Sequence, residues 1–209
     1  MKEQLIGLIL SVPGLLLALS MHEFAHGYAA YKMGDNTAKY NGRLSINPFA
    51  HLDPIGTLCL FLFHFGWAKP VPINPNNFTN RRRGVIIVSL AGPFMNFLLA
   101  LLSALAVQLL RKFAPASEIA IFLYYILQYS EILNIGLMVF NLIPIPPLDG
   151  SMVLLELLPY QKREFFYALE RYSQFLLIIL ILTRVLNPVL STACAWVDGI
   201  IRFIVGLIF

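Results

Sequence analysis

The sequence predicts an all-α, polytopic membrane protein, and its composition and long apolar segments are the observations that predict it. Of its 209 residues, 58% are hydrophobic and only 12% are charged, and the mean hydropathy is +0.74. A soluble domain has about 25% charged residues, so this chain has too few charged side chains to cover a soluble globule. Several apolar segments have about the 20 residues that a helix needs to cross a bilayer. We therefore expect a bundle of membrane-spanning helices, formed as a single domain by residues 1–209.

Three apolar segments form the predicted core of this bundle. They cover about residues 5–31, 85–110 and 119–142. Two more helices are predicted after the core, at about residues 165–183 and 188–208. Each core segment is long enough to span the hydrocarbon layer, so the predicted architecture is a three-helix core with about two additional C-terminal helices.

Residues 32–83 differ from the rest of the chain. They contain five prolines and one apolar stretch, IGTLCLFLF, which is too short to span a bilayer. We expect an irregular region whose apolar stretch is re-entrant or interfacial, because non-helical backbone at membrane depth must be buried in protein or line a wet cavity. Residues 32–83 contain seven Lys and Arg but only two Asp, which predicts a cytoplasmic location.

The formal charge of +4 does not indicate nucleic-acid binding. The basic residues lie in the gaps between apolar segments, where they set membrane topology and face anionic lipid. Cys59 and Cys194 are isolated in apolar surroundings, so the zinc-finger spacing is absent. We therefore expect the lipid bilayer, and no nucleic acid, as a partner.

The first predicted helix contains two histidines and a glutamate, in the stretch SMHEFAHGYAAY. Residues four apart share a helix face, so His22 and His26 can bind one ion, and Glu23 lies about 100° away on the same turn. This is the H-E-x-x-H zinc arrangement, in which the glutamate is the general base. An ionisable residue in a membrane helix costs about 2.5–3.5 kcal/mol, which favours a functional site over the alternative of three residues facing interfacial water.

A catalytic zinc usually has three protein ligands, so the chain must supply another. The candidates are Asp149, His51, Asp53 and His64. Asp149 is favoured because NLIPIPPLDG breaks the third helix with prolines and Gly150 allows a turn. The predicted topology then presents Asp149 on unwound chain, at the same membrane face as the histidines. A helix cap is the alternative for Asp149, and loop anchors are the favoured roles for His51 and Asp53.

Asn141 is the remaining candidate, because it lies in the last helical turn before the proline break. Its side-chain amide could donate to a developing oxyanion. A hydrogen bond that caps the helix end explains the same residue equally well.

The motifs of the chain together resemble the site-2 proteases, the intramembrane zinc metalloproteases. The matching motifs, in family order, are HEFAHGYAAYKMGD, GRLSINPFAHLDPIGT, FGWAKPVPIN, LAGPFMN and FNLIPIPPLDG. The resemblance implies that one zinc ion is bound by His22, His26 and Asp149. It also implies that Glu23 is the catalytic base and that Asn141 assists the oxyanion.

The resemblance extends to the middle core helix and to a subgroup of the family. Gly92 and Asn96 match the family motif of that helix, where a small residue and an amide let helices approach closely. Only residues 111–118 separate the second and third core helices. The resemblance is therefore to the short form of the family, without a PDZ domain.

The function that the resemblance implies is regulated intramembrane proteolysis. The substrates would be transmembrane or membrane-bound proteins, cut in a bacterial or archaeal cell membrane with the active site toward the cytoplasm. A metal-binding transporter is one alternative, although internal repeats would be expected of it. A catalytically silent scaffold is the other, although it would not need Glu23 beside both histidines. No oligomeric state is predicted.

Overall fold

The computed structural model describes residues 2–53, 56, 68–115 and 117–209. The helices of this part of the chain are α1 (Lys2–Lys32), α2 (Thr37–Tyr40), α3 (Pro48–His51), α4 (Arg81–Phe113), α5 (Glu118–Asn141), α6 (Asp149–Leu157), α7 (Tyr160–Glu170), α8 (Ser173–Leu182) and α9 (Asn187–Gly206). A short 3-10 helix covers Pro75–Asn77. No β-strand occurs in the described ranges, so the predicted all-α class is confirmed.

Four helices, α1, α4, α5 and α9, are long and apolar enough to cross a bilayer. They carry large apolar side chains that face outward, such as Phe94, Leu102 and Ile132, each more than half exposed. Exposed apolar surface on this scale is expected where lipid rather than water surrounds the helices. The chain is therefore a multi-pass membrane protein.

The three predicted core helices pack against one another. α1 contacts both α4 and α5, and α4 and α5 form an antiparallel pair joined by only residues 114–117. Small residues such as Ala100 and Ala104 are buried at this interface and allow close approach. α9 packs on α4 and α5, and its Arg202 lies 3.8 Å from the buried Glu131 of α5.

Helices α1 and α4 extend a few residues beyond the predicted segments, and a capping side chain explains the difference at the start of α4. The arginines at 81–83, expected between helices, form the first turn of α4 because Oδ1 of Asn80 accepts a hydrogen bond from the amide of Arg83 at 3.0 Å. In the same way, the hydroxyl of Ser117 accepts from the amide of Ala120 at 3.2 Å and begins α5.

The C-terminal region corrects the prediction of one helix over residues 165–183. Two helices, α7 and α8, occupy this region and bend by 67° between Glu170 and Ser173. The hydroxyl of Ser173 donates to the carbonyl of Glu170 at 2.7 Å, and such local side-chain hydrogen bonds compete with helix continuation. The second predicted C-terminal helix, at 188–208, corresponds to α9.

The predicted re-entrant stretch at residues 55–66, which includes Cys59 and His64, lies outside the described residues except for Gly56. The chain returns beyond it as an extended segment, residues 68–74, that crosses the end of α1. The amide of Lys69 donates to the carbonyl of His51 at 2.8 Å. Arg43 donates to the carbonyl of Lys69 at 2.7 Å.

Asp35 joins the end of α1 to this extended segment. It is fully buried, and its carboxylate accepts hydrogen bonds from the amides of Thr37 at 3.0 Å and Asn74 at 2.7 Å and from the side-chain amide of Asn77 at 2.7 Å. Burial opposes ionisation of Asp35, but these donors outweigh it and hold its pKa below the usual value. The bonds stabilise the fold at neutral pH, and this contribution is lost only as the pH falls through the lowered pKa.

Replacing Asp35 by Ala is expected to loosen residues 68–77 while α4 stays intact. Four donors, which are the amide and hydroxyl of Thr37, the amide of Asn74 and the side-chain amide of Asn77, would lose their charged acceptor. Each such bond is worth about 1.5–3 kcal/mol. Hydrogen–deuterium exchange should show faster exchange at the amides of Val71 and Asn74 in the variant. Asp53→Ala is the control, because it removes one loop bond, from the amide of Gly56 at 2.7 Å. Unchanged exchange at Asn74 in Asp35→Ala would contradict this account of the loop.

Candidate active site

The structure brings His22, His26 and Asp149 together at the junction of α1 and α6. The Nε2 atoms of the histidines are 2.9 Å apart, and Oδ2 of Asp149 lies 3.2 Å from Nε2 of His22 and 3.3 Å from that of His26. Zinc–ligand bonds of about 2.0–2.2 Å at tetrahedral angles put ligand atoms about 3.3 Å apart. Among the described residues, this is the group of three side chains with the spacing of a metal site.

Both histidines are oriented by hydrogen bonds on the ring nitrogen that faces away from Asp149. Nδ1 of His26 is 2.7 Å from the carbonyl oxygen of Val88, and Nδ1 of His22 is 2.6 Å from Oδ1 of Asn96. A carbonyl oxygen only accepts, so Nδ1 donates in both rings. In the neutral rings, the Nε2 lone pairs therefore point toward Asp149.

Asp149 completes a set of three acceptors. Its Oδ2 atom is buried, and no described group forms a hydrogen bond with it. Two lone pairs and a carboxylate oxygen that face one another repel unless a cation lies between them, so the chemistry of the donor set fits a divalent metal.

The local structure around Asp149 corrects one detail of the prediction. Asp149 is the first residue of helix α6 rather than part of unwound chain, and the break is confined to residues 142–148. Gly150 is not in the left-handed region. It is required because a Cβ atom there would collide with the carbonyl groups of Leu142 and Ile143.

Two ion pairs fix α6 in place. The buried carboxylate of Glu156 lies 3.4 Å from Nη1 of Arg81 on α4 and 3.3 Å from Nη2 of Arg163 on α7. Because α6 also packs along α4, these contacts position the helix that begins with Asp149.

Gly92 of α4 provides the space for the two imidazole rings. A Cβ atom at this position would lie 2.6 Å from Nε2 of His22 and still closer to Nε2 of His26. Real Cβ contacts are not closer than 3.0 Å. The glycine of LAGPFMN is therefore a requirement of the candidate metal site as well as of helix packing.

Glu23 lines the same cavity as the three candidate ligands but is outside their group. Its Oε2 atom accepts a hydrogen bond from the amide of Val71 at 2.9 Å. The carboxylate is thus held by the extended segment outside the membrane helices, while the other carboxylate oxygen has no bond from Val71. Sequence spacing places Glu23 beside the metal ligands but does not reveal this contact.

Asn141 also lines the cavity, at the last residue of α5. Its side-chain amide donates to the carbonyl of Leu137 at 3.0 Å. This bond is of the helix-end kind that the sequence offered as the alternative. The NH₂ group carries two hydrogens, so the bond to Leu137 leaves one of them for another acceptor.

His51 and Asp53 are not part of the cluster. Nε2 of the buried His51 is 2.6 Å from the carbonyl oxygen of Ser45, and Asp53 accepts from the amide of Gly56. Both contacts lie within the irregular region, as expected of loop anchors. His64, the other candidate, lies outside the described residues.

The cavity at this site has a volume of about 410 Å³ and is mostly apolar. Its apolar lining residues are Pro70, Val71, Ile73, Pro75, Phe78, Val85, Val88, Pro147 and Met152. Its polar lining residues are the three candidate ligands, Glu23, Ser89 and Asn141. A cavity with this lining suits an apolar peptide segment whose backbone reaches the polar groups.

Sequence reasoning assigned Asn96 a packing role and missed its contact with His22. Asn96 is fully buried, and its side chain bonds to helices α1 and α5 as well as to the ring. The available signal was the presence of an amide in the middle of an apolar helix, because a polar group there needs partners.

Comparisons with known proteins agree with this site. The family model described as peptidase family M50 matches residues 11–183. A Bacillus subtilis protein named "Putative zinc metalloprotease YwhC" is 38% identical over 180 residues, which cover 81% of this chain and 78% of that relative. No solved structure matches the chain significantly.

Relatives from two mycobacteria match over most of the chain. The Mycobacterium tuberculosis protein named "Putative zinc metalloprotease Rip2" is 32% identical over 205 residues, 95% of this chain and 74% of the relative. Its Mycolicibacterium smegmatis counterpart is 30% identical over 185 residues, 86% of this chain and 69% of the relative. The predictions of a metalloprotease and of zinc as its cofactor are thereby confirmed. The chain belongs to peptidase family M50, the site-2 protease family.

Proposed function

We propose that this chain cleaves peptide bonds of membrane proteins within or near the bilayer, with zinc bound by His22, His26 and Asp149. The observation that carries the proposal is the convergence of three acceptor atoms, 2.9 to 3.3 Å apart, inside a membrane bundle. The three side chains supply the ligand number typical of a catalytic zinc site, which keeps one position open.

Zinc bound at this site would polarise the scissile carbonyl and lower the pKa of water to about 7. In the proposed mechanism, Glu23 takes the proton of the attacking water and returns it to the leaving amine. The amide of Val71 supports this role, because its bond to Oε2 fixes the carboxylate and leaves the other oxygen to accept the proton.

Asn141 is proposed to stabilise the oxyanion of the scissile carbonyl. It lines the cavity together with Glu23 and Asp149. One hydrogen of its NH₂ group bonds to the carbonyl of Leu137, so we propose that the other hydrogen donates to the substrate oxygen.

The proposed substrates are transmembrane or membrane-bound proteins. The cavity is lined by α4, α6 and the extended segment, and its apolar walls suit side chains from a membrane helix. Such a helix must unwind locally, because its backbone is otherwise hydrogen bonded. We propose that residues 1–209 form a single catalytic domain in a bacterial or archaeal cell membrane, with the basic region at residues 32–83 in the cytoplasm.

Glu23→Gln is expected to abolish cleavage without loss of zinc. The amide can still accept from Val71 but cannot take a proton, and general-base catalysis contributes about 10²–10⁴-fold. The assay uses a library of single transmembrane segments, each between two fluorescent proteins, in vesicles with the purified protease. Products are followed by gel fluorescence, and zinc is measured by mass spectrometry.

His22→Ala and Asp149→Ala are the matched variants for the ligand set. Both should lose zinc as well as cleavage, whereas Glu23→Gln should lose cleavage alone. Full cleavage by Glu23→Gln would exclude Glu23 as the base. Unchanged zinc content in His22→Ala or Asp149→Ala would show that the ligand set is wrong.

Gly92→Ala is expected to weaken zinc binding by about tenfold or more, the scale seen when the surroundings of metal ligands are disturbed. The added methyl group would push apart the rings of His22 and His26. Zinc affinity is measured by chelator competition in detergent. Gly136→Ala on α5 is the control, because a Cβ atom there has no neighbour within 4 Å. Equal affinities of the two variants would contradict the close contact at Gly92.

Asn141→Ala is expected to lower kcat by about 10²–10³-fold, the usual effect of removing one oxyanion donor. KM and zinc content should remain close to the original values, because Asn141 is outside the group of candidate ligands. Steady-state cleavage of a substrate from the same library separates the two constants. An unchanged kcat would assign Asn141 to the helix end alone.

A further inference from the structure

We infer that Asn134 is a positioning residue of the metal site, which acts through the side-chain amide of Asn96 to fix the protonated ring nitrogen of His22. The inference rests on the ligand role proposed above for His22. Asn134 lies in the middle of α5 and is fully buried. Its side chain forms hydrogen bonds with Asn96 and with Ser130.

The orientation of the Asn134 amide is set by its own helix. Its Nδ2 atom lies 2.8 Å from the carbonyl oxygen of Ser130. A carbonyl oxygen can only accept, so the NH₂ group of Asn134 must point toward it. Oδ1 of Asn134 then points the other way, toward α4.

The orientation of the Asn96 side-chain amide is set by Asn134. Nδ2 of Asn96 donates to Oδ1 of Asn134 at 2.9 Å and to the carbonyl oxygen of Ala18 at 3.2 Å. Both hydrogens of this NH₂ group are therefore used. Oδ1 of Asn96 is left to face Nδ1 of His22, 2.6 Å away.

The last step concerns the tautomer of His22. A neutral imidazole carries one N–H, and an acceptor oxygen at Nδ1 requires that the hydrogen be there. Nε2 of His22 is then unprotonated and can bind a metal. If the Asn96 amide were reversed, its NH₂ group would face Nδ1, and the hydrogen of the ring would move to Nε2.

The two histidines differ in what fixes them. Nδ1 of His26 bonds directly to the backbone carbonyl of Val88, which cannot rotate. His22 instead depends on an amide that can be reversed. Without Asn134, the longer bond to Ala18 alone would oppose reversal of Asn96. Burial makes the bond between Asn96 and Asn134 more important, because an unpaired amide inside the membrane is energetically costly.

The test measures zinc dissociation constants of the full-length protein in detergent by chelator competition. Asn134→Leu is expected to weaken zinc binding about tenfold, as for other residues that orient metal ligands. Ser103→Ala is the matched control, because it removes another buried α4–α5 hydrogen bond, from Ser103 to Ser130 at 3.1 Å. This control should leave the constant unchanged. Equal constants for the two variants would overturn the inference.

A rescue experiment distinguishes an orienting role of Asn134 from a role in helix packing. Asn96→Asp replaces the amide by a carboxylate, whose two oxygens both accept from Nδ1 of His22 and need no orienting partner. In this background, Asn134→Leu should no longer weaken zinc binding. A tenfold loss that persists in the Asn96→Asp protein would show that Asn134 acts by packing alone, and would overturn the inference.

Nitrogen NMR of histidine-labelled, zinc-free protein tests the inference without relying on zinc binding. At mildly alkaline pH, His22 should be the Nδ1–H tautomer in the wild type and a mixture of tautomers in Asn134→Leu. A predominant Nε2–H tautomer in the wild type would overturn the inference even if the variants fail to fold. Failure of the proposed ligand set has a different signature, because zinc would persist in His22→Ala while the tautomer result stood.

Discussion

The candidate site depends on one electrostatic constraint, the meeting of three hydrogen-bond acceptors in an apolar bundle. Nε2 of His22, Nε2 of His26 and Oδ2 of Asp149 lie 2.9 to 3.3 Å from one another. In a medium of low dielectric constant this contact is repulsive unless a cation lies between the atoms. Zinc, the cofactor of this family, would supply that cation in the proposed ligand set, and its binding would then be coupled energetically to the packing of α1 and α6 against α4.

Helix α4 provides the contacts and the space that hold both histidines in this arrangement. Within three turns it provides the carbonyl of Val88 for His26, the space at Gly92 for both rings, and the amide of Asn96 for His22. These positions are four residues apart, so they lie along one face of the helix and meet α1 together. The motif LAGPFMN is therefore specific to the site, since a packing helix alone would not need a glycine and an amide one turn apart.

Much of this arrangement follows from the sequence, because membrane helices obey strong rules. Apolar length predicted α1, α4 and α5, and the cost of ionisable groups in a bilayer singled out His22, Glu23 and His26. Contacts between segments that are distant in the sequence could not be predicted from it. Periodicity contains no information on which amide faces which ring, so the bond from Asn96 to His22 was missed. The break between α7 and α8 coincides with a hydrogen bond from the hydroxyl of Ser173, and hydropathy contains no information on such a bond.

The candidate site is divided between two parts of the molecule with different physical character. The proposed ligands His22 and His26 are held by buried contacts with α4, where the low dielectric constant strengthens hydrogen bonds. Glu23 is one residue from His22, yet its carboxylate bonds to Val71, in a segment that Asp35 fastens to the end of α1 through hydrogen bonds outside the spanning helices. In the proposed mechanism, the base and two of the ligands are therefore positioned by different parts of the molecule, Glu23 by the amide of Val71 and His26 and His22 by α4.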